Sequence, residues 1–136
     1  MLRLDLRNSE RFKLDFLFVF FMEIAYVVGP YTGVMNYITL DNINNARNFG
    51  EELKEMGFIV EIPHDNYKIS NWFGPENKKF MKEKLEILKK CDLAVAIDGW
   101  EYDFYNLKEK KVCEENKIPF YASLKELIAN YDFKDK

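Results

Sequence analysis

Histidine and cysteine are scarce in this 136-residue chain, and each scarcity excludes a class of site. A single histidine argues against a histidine-based metal centre. The two cysteines, Cys91 and Cys113, lack the spacing of a metal-binding pair or a disulfide framework, which favours a reducing, cytoplasmic location. We therefore expect neither a metal nor another cofactor.

The chain also lacks a long basic stretch and a long apolar stretch. Its net charge is -3, and lysines alternate with acids, so no basic face could follow a nucleic acid polymer. The apolar run 16–22 meets Glu23 well short of the roughly 18 residues that a membrane-spanning helix needs, so we expect no membrane partner. We interpret residues 1–21 as an N-terminal extension, either upstream of a natural start at Met22 or packed against a neighbouring chain, and residues 22–136 as the domain.

Strand and helix signals alternate from residue 22 onward. Four apolar runs predict buried strands: EIAYVVG at 23–29, FIVEIP at 58–63, LAVAID at 93–98 and IPFYA at 118–122. Strands separated by helices predict right-handed crossovers and a parallel sheet covered on both faces. In such a sheet the ligand crevice lies beyond the carboxyl ends of the strands.

Cap and turn residues mark the predicted helices. They are Thr39 or Asp41 before the first helix and Gly57 after it, Pro75 in the first turn of the second, a third helix over about 105–116, and Ser123 before the fourth. The lysine-rich run 78–90 is interpreted as a solvated helix face.

Acids and aromatic rings crowd the stretch 92–109, which contains the third predicted strand and the loop and helix after it. The acids are Asp92, Asp98, Glu101, Asp103 and Glu109, and the rings belong to Trp100 and Tyr102. Carboxylates can stabilise and capture the oxocarbenium-like state of glycosidic-bond cleavage, and aromatic rings can stack on a flat base. This composition predicts a site for glycosidic-bond chemistry on a nucleoside.

Three sequence blocks, YVVGPYTG at 26–33, ELKEMGFIVEIPH at 52–64 and CDLAVAIDGWE at 91–101, resemble the nucleoside 2-deoxyribosyltransferase superfamily. The similarity covers about residues 22–122 and is closest to the short branch with GPMTG-type and GWE-type motifs. It implies a flavodoxin-like or Rossmann-like three-layer α/β sandwich with a parallel sheet of four to five strands. It also implies a homo-oligomer.

The resemblance assigns roles to four residues of this chain. Glu109 stands where active members of the superfamily carry the glutamate that attacks the anomeric carbon, and Asp103 lies at the family's interval of six residues before it. Asp92 matches an aspartate implicated near the base, and Tyr26 matches a tyrosine whose hydroxyl orients the nucleophile. In this interpretation Glu109 forms a glycosyl-enzyme intermediate, and Asp103 or Asp92 transfers the proton.

This sequence departs from the superfamily in two respects. The small residues usual before the glutamate are replaced by the stretch DFYNL at 103–107, so the rings of Phe104 and Tyr105 are predicted to fill part of the sugar pocket. Only three serines occur, and the serine-rich loop of the monophosphate hydrolases is missing, so a free nucleoside fits better than a nucleotide.

The predicted substrate-binding positions are Tyr26, Gly29, Pro30, Tyr31, His64, Gly99, Trp100 and Tyr102. Gly29 and Gly33 would permit a tight turn and close approach of a ligand, but they form no dinucleotide-binding motif. The leading hypothesis is transfer or hydrolysis of the N-glycosidic bond of a nucleoside or deoxynucleoside. Its alternative is a non-catalytic module of the same fold that binds a nucleoside or nucleotide-like metabolite.

Each candidate also has a purely structural interpretation. Glu109 could be a solvated residue on a charged helix, Asp92 could bond to backbone before the third strand, and Asp103 could cap the following helix. Trp100 and Tyr102 could cover the edge of the core, and His64 could be a surface or hydrogen-bonded loop residue.

Overall fold

The central element of the fold is a four-stranded parallel sheet. A computed structural model of the protein describes residues 22–31, 36–66 and 75–133, with side chains from 38 in the second range and from 78 in the third. The strands are β1 (Ile24–Val28), β2 (Ile59–Glu61), β3 (Leu93–Ala96) and β4 (Phe120–Tyr121), in the order β2-β1-β3-β4. The order of the strands reverses between β1 and β3, because β2 lies on one side of β1 whereas β3 and β4 lie on the other. In folds of this kind, ligands bind at the point of reversal, beyond the carboxyl ends of the strands.

In the described part of the chain, four helices cover the two faces of the sheet: α1 (Asn36–Glu55), α2 (Pro75–Leu88), α3 (Phe104–Glu115) and α4 (Leu124–Asn130). Two short 3-10 turns, Pro63–Asn66 and Trp100–Tyr102, follow β2 and β3. The predicted α/β class is confirmed: the protein has a flavodoxin-like or Rossmann-like three-layer architecture.

Alternate residues of β1 enter different halves of the core, as the two-residue period of a strand requires. Ala25 and Val27 pack in a cluster that contains Leu53 of α1 and Leu127 of α4. Tyr26 and Val28 face the opposite way, into a cluster with Leu88 of α2 and Cys113 of α3. The second face is the one that carries the candidate site.

Most predicted element boundaries agree with the structure to within two residues. Gly57 follows α1 with a left-handed φ of 100°, and the Ser123 hydroxyl caps α4 by accepting the Glu126 N–H at 3.0 Å. The predicted start of α1 is wrong, because Thr39 and Asp41 lie inside a helix that already includes Asn36. Residue type favoured a cap at these positions, but the helix continues through them.

The lysine-rich stretch of α2 is not entirely solvated. Lys84 is buried, and its Nζ donates to Glu61 Oε1 at 3.1 Å and to Asn66 Oδ1 at 3.0 Å. The prediction of a solvated face is therefore wrong at this position, because α2 packs with Lys84 toward the end of β2.

Within the residues that the structure describes, no helix combines the length and apolarity needed to cross a bilayer. The N-terminal extension 1–21 and Gly33 lie outside the described residues.

Candidate functional site

Glu109 lies on α3 and is fully buried, which excludes the interpretation of a solvated residue on a charged helix. Its Oε2 accepts two phenolic hydrogen bonds, from Tyr26 at 2.5 Å and from Tyr31 at 2.8 Å. Its Oε1 accepts the side-chain N–H of Asn106 at 2.8 Å. Strand β1, the loop after it and helix α3 together hold this single carboxyl group.

Burial governs the protonation of Glu109. Loss of solvent raises its pKa from 4.5 to about 7, while the bonds from Tyr26, Tyr31 and Asn106 act in the opposite direction. The same burial raises the pKa of the Tyr26 and Tyr31 hydroxyls well above 10, with a further contribution from the nearby Glu109 charge. Both phenols therefore keep their protons at neutral pH, whereas Glu109 titrates there.

Asp103 lies at the N-cap of α3 and is fixed by backbone amides. Its Oδ1 accepts the N–H groups of Tyr105 at 2.8 Å and Asn106 at 3.1 Å. Its Oδ2 accepts the N–H of Tyr31 at 3.1 Å. Because the Tyr31 hydroxyl donates to Glu109, this one tyrosine connects the two predicted catalytic carboxyl groups.

His64 is buried behind Tyr31 rather than exposed on the rim. The two rings stack with centroids 4.3 Å apart, and His64 Nε2 lies 3.0 Å from the Gly29 carbonyl and 3.1 Å from the Pro30 carbonyl. A nitrogen between two carbonyl oxygens must carry the proton, so the neutral ring has its hydrogen on Nε2. Burial lowers the pKa of His64 to about 4, which keeps the ring neutral at physiological pH.

Gly29 joins these groups through its backbone. Its carbonyl accepts one hydrogen bond from His64 and another, at 2.8 Å, from Asn106 Nδ2. Gly99, with a left-handed φ of 92°, lies next to the same loop, since a Cβ there would come 3.5 Å from Pro30 Cγ. The predicted binding residues Gly29, Pro30 and Gly99 are thus brought together where β1 and β3 end.

Asn106 is a site residue that the sequence did not reveal. In the sequence it stands out only as one of the residues that replace smaller ones before Glu109. The available signal was its spacing, because residues three apart on a helix share a face. Its carbonyl oxygen Oδ1 and the Nδ1 atom of His64 are buried with no hydrogen-bond partner among the described residues.

Asp92 is not brought to the site. It precedes β3, where its exposed carboxylate accepts the backbone N–H of Ile24 at 2.7 Å. Ile24 opens β1, so Asp92 lies at the amino edge of the sheet while Glu109 lies near the carboxyl edge. The structure corresponds to the backbone-bonding interpretation of Asp92.

Trp100 and Tyr102 have very different environments, although only one residue separates them. Trp100 is buried against Phe120, with the ring centroids 5.0 Å apart, and covers the core. Tyr102 is 91% exposed. Of the two predicted stacking rings, only Tyr102 therefore presents an open face to a ligand.

The rings predicted to fill the sugar pocket behave differently from each other. Phe104 is 65% exposed, so the prediction is wrong for this residue. Tyr105 is half-buried against the cluster of Tyr31, Ile43 and Met81. The N-cap of α3 turns the first side chain of the helix outward and the second inward.

Among the described residues, no group of three or more histidine, cysteine, aspartate or glutamate side chains is arranged to hold a metal ion.

A family described as a domain of unknown function (DUF4406) has a model that matches residues 23–120. The match covers more than two thirds of the chain and extends from β1 to the first residue of β4, so the chain belongs to this family. No curated protein matches the chain.

Proposed function

We propose that this DUF4406 domain breaks the N-glycosidic bond of a nucleoside or deoxynucleoside, with Glu109 as the nucleophile. The observation that supports the proposal is the Glu109 carboxyl, which is held by Tyr26, Tyr31 and Asn106 beside the end of β1. Orienting a nucleophile requires groups of this kind, themselves fixed by packing on rigid elements. The resemblance to nucleoside 2-deoxyribosyltransferases supports the same assignment.

The hydrogen bonds indicate which oxygen would react. Oε2 accepts two hydroxyl hydrogens and has both of its lone pairs occupied, whereas Oε1 accepts one N–H and retains a lone pair. In the proposed reaction Oε1 forms a bond to C1′ as the bond from C1′ to the base nitrogen breaks. The base leaves with that electron pair and takes up a proton. Water or a second base then displaces Glu109, and the acceptor loses a proton.

Asp103 is the remaining candidate for proton transfer, because Asp92 lies at the opposite edge of the sheet. Asp103→Asn retains the helix cap, since asparagine caps as well as aspartate, but its side-chain NH2 group cannot accept the Tyr31 N–H as Asp103 Oδ2 does. If Asp103 transfers protons, Asp103→Asn lowers turnover by on the order of 100-fold, while loss of the bond from Tyr31 N–H lowers the free energy of unfolding by about 1 to 3 kcal/mol. Unchanged turnover would restrict Asp103 to positioning Tyr31 and the start of α3.

The main experiment follows base release. The purified full chain is incubated with deoxynucleosides, with and without a free acceptor base, and the bases are separated by chromatography. Base release or exchange should be lost in Glu109→Gln. Glu114→Gln is the matched control, because Glu114 is on the same helix but is exposed and pairs with Lys110 at 3.7 Å. Equal turnover in the wild type and Glu109→Gln would refute the nucleophile assignment.

The second candidate is a non-catalytic module that binds a nucleoside or similar metabolite. The burial of both Glu109 and Tyr31 favours it, because no solvent reaches the carboxyl group. Thermal stabilisation of the protein by nucleosides without base release would support this function. The expected homo-oligomer rests on the resemblance alone, and light scattering of the full chain tests it.

A further inference from the structure

We propose that Asn106 is a positioning residue for Glu109, with an amide group that the Gly29 carbonyl holds so that it can only donate to Oε1. The inference rests on the proposed function, because it gives Asn106 a task in preparing the nucleophile. The superfamily resemblance assigns no role to this position.

The geometry determines the orientation of the Asn106 amide. Nδ2 lies 2.8 Å from Gly29 O and 2.8 Å from Glu109 Oε1, so its two hydrogens satisfy two acceptors. The flipped amide would place Oδ1 against those oxygens, and a peptide carbonyl cannot donate. The unpaired Oδ1 among the described residues is the consequence, since leaving it unpaired costs less than placing three oxygens together.

The tyrosine hydroxyls cannot perform this task. A hydroxyl both donates and accepts, so Tyr26 and Tyr31 can bond to a carboxylate or, after rotation, accept from a protonated carboxyl. Asn106 cannot reverse its polarity while Gly29 O occupies its second hydrogen. Of the described donors to Glu109, it is therefore the one that consistently favours the charged carboxylate, whose Oε1 would attack C1′.

The other titratable groups near Glu109 come from several elements. They are Tyr26 on β1, Tyr31 after it, Asp103 at the N-cap of α3 and Cys113 further along α3. His64 lies behind Tyr31, and Lys84 of α2 is paired with Glu61. The phenols and the buried thiol are neutral near pH 7, and burial raises the pKa of Cys113 to about 12. The charge of Asp103 raises the pKa of Glu109 and so opposes Asn106.

The test reads the protonation of Glu109 directly and needs no substrate. The infrared band of a protonated carboxyl is followed against pH and assigned to Glu109 by its loss in Glu109→Gln. In the wild type its midpoint is expected near pH 7. In Asn106→Leu, which removes the donor, the midpoint should rise by about one pH unit or more, a tenfold change in the acid dissociation constant.

Two further variants complete the design. Asn106→Ser is smaller and serves if Asn106→Leu does not fold, and its hydroxyl can reverse polarity, so its midpoint should also rise. Asn130→Leu is the control, because exposed Asn130 donates to Glu126 O of its own helix at 3.0 Å and lies on α4 rather than at the site. Its midpoint should equal that of the wild type. A wild-type midpoint in folded Asn106→Leu or Asn106→Ser would overturn the inference.

The proposed function and this inference can be refuted independently of each other. If nucleosides are not turned over but the midpoint rises, Asn106 controls Glu109 in a protein that is not a glycosidase. If turnover occurs, Asn106→Leu should lower kcat and move the rising limb of its pH profile upward by the same amount, with KM nearly unchanged.

Discussion

The two edges of the sheet use the same chemical groups in opposite ways. At the amino edge, the exposed Asp92 accepts a backbone N–H of β1, and the Tyr131 hydroxyl donates to the exposed Glu23. At the carboxyl edge, tyrosine hydroxyls donate to Glu109, which no solvent reaches. The carboxylates at the amino edge join the start of β1 to the residue before β3 and to Tyr131, whereas burial changes the protonation of the one at the carboxyl edge. The difference comes from desolvation, not from residue type.

The sharpest test of this comparison is turnover of deoxynucleosides in paired variants. Glu109→Gln should reduce base release by on the order of 1,000-fold or more, because the nucleophile is lost. Asp92→Asn should leave turnover within a few-fold of the wild type. Both rates are measured by chromatography of the released base. A large loss in Asp92→Asn alone would reverse the functional assignment of the two edges.

The free energy of unfolding should depend on pH because Glu109 is buried. Its folded pKa of about 7 exceeds the ordinary 4.5, so its contribution is fully present below pH 4.5 and is lost as the pH rises through 7. The loss is at most about 3.5 kcal/mol, because the pKa rises from 4.5 to about 7 and each unit corresponds to about 1.4 kcal/mol. Urea unfolding at several pH values measures it, and in Glu109→Gln this decline should vanish.

His64 should change the free energy of unfolding with pH in the opposite direction to Glu109, over an overlapping pH range. Its folded pKa of about 4 lies below the ordinary 6.5, so its contribution is present above pH 6.5 and is lost as the pH falls through 4. Glu109→Gln should therefore expose a stability that increases from pH 4 to 6.5. Adding His64→Gln, which retains an N–H donor for Gly29 O, should flatten that increase. An unchanged slope in the double variant would show that other groups produce it.

The smallest expected effect is at the amino edge. Asp92→Ala removes an exposed acceptor from the Ile24 N–H, and water can replace it, so the protein should lose about 1 kcal/mol of unfolding free energy or less. Thermal unfolding followed by circular dichroism measures the change. A loss as large as that of a buried group would mean that Asp92 does more than fasten the start of β1.

The fold was more predictable than the site. Apolar runs and turn residues predicted the positions of β1, β2, β3 and β4 along the chain, since each strand depends on a short stretch of sequence. Asp92 was assigned to the site by the resemblance and by its nearness along the chain to the other acids, and nearness along the chain does not ensure nearness in space. Asp92 and Asp103 stand at opposite ends of extended β3, which separates their side chains.

The resemblance predicted part of the site. The contact between Tyr26 and Glu109 was expected from it, although 83 positions separate the two residues. Asn106 was missed because an asparagine on a charged helix has many possible roles. The bond to Gly29 that gives it a fixed orientation spans 77 positions.

The sequence by itself determined the alternation of strands and helices, the parallel sheet and the edge at which Asp103 and Glu109 would lie. Only the tertiary structure decided that Glu109 is buried, that Asp92 is remote from it and that Asn106 and His64 converge on one carbonyl group. The reason is physical. Periodicity and capping act over a few residues, whereas desolvation and hydrogen-bond polarity depend on groups that folding brings together from distant parts of the chain.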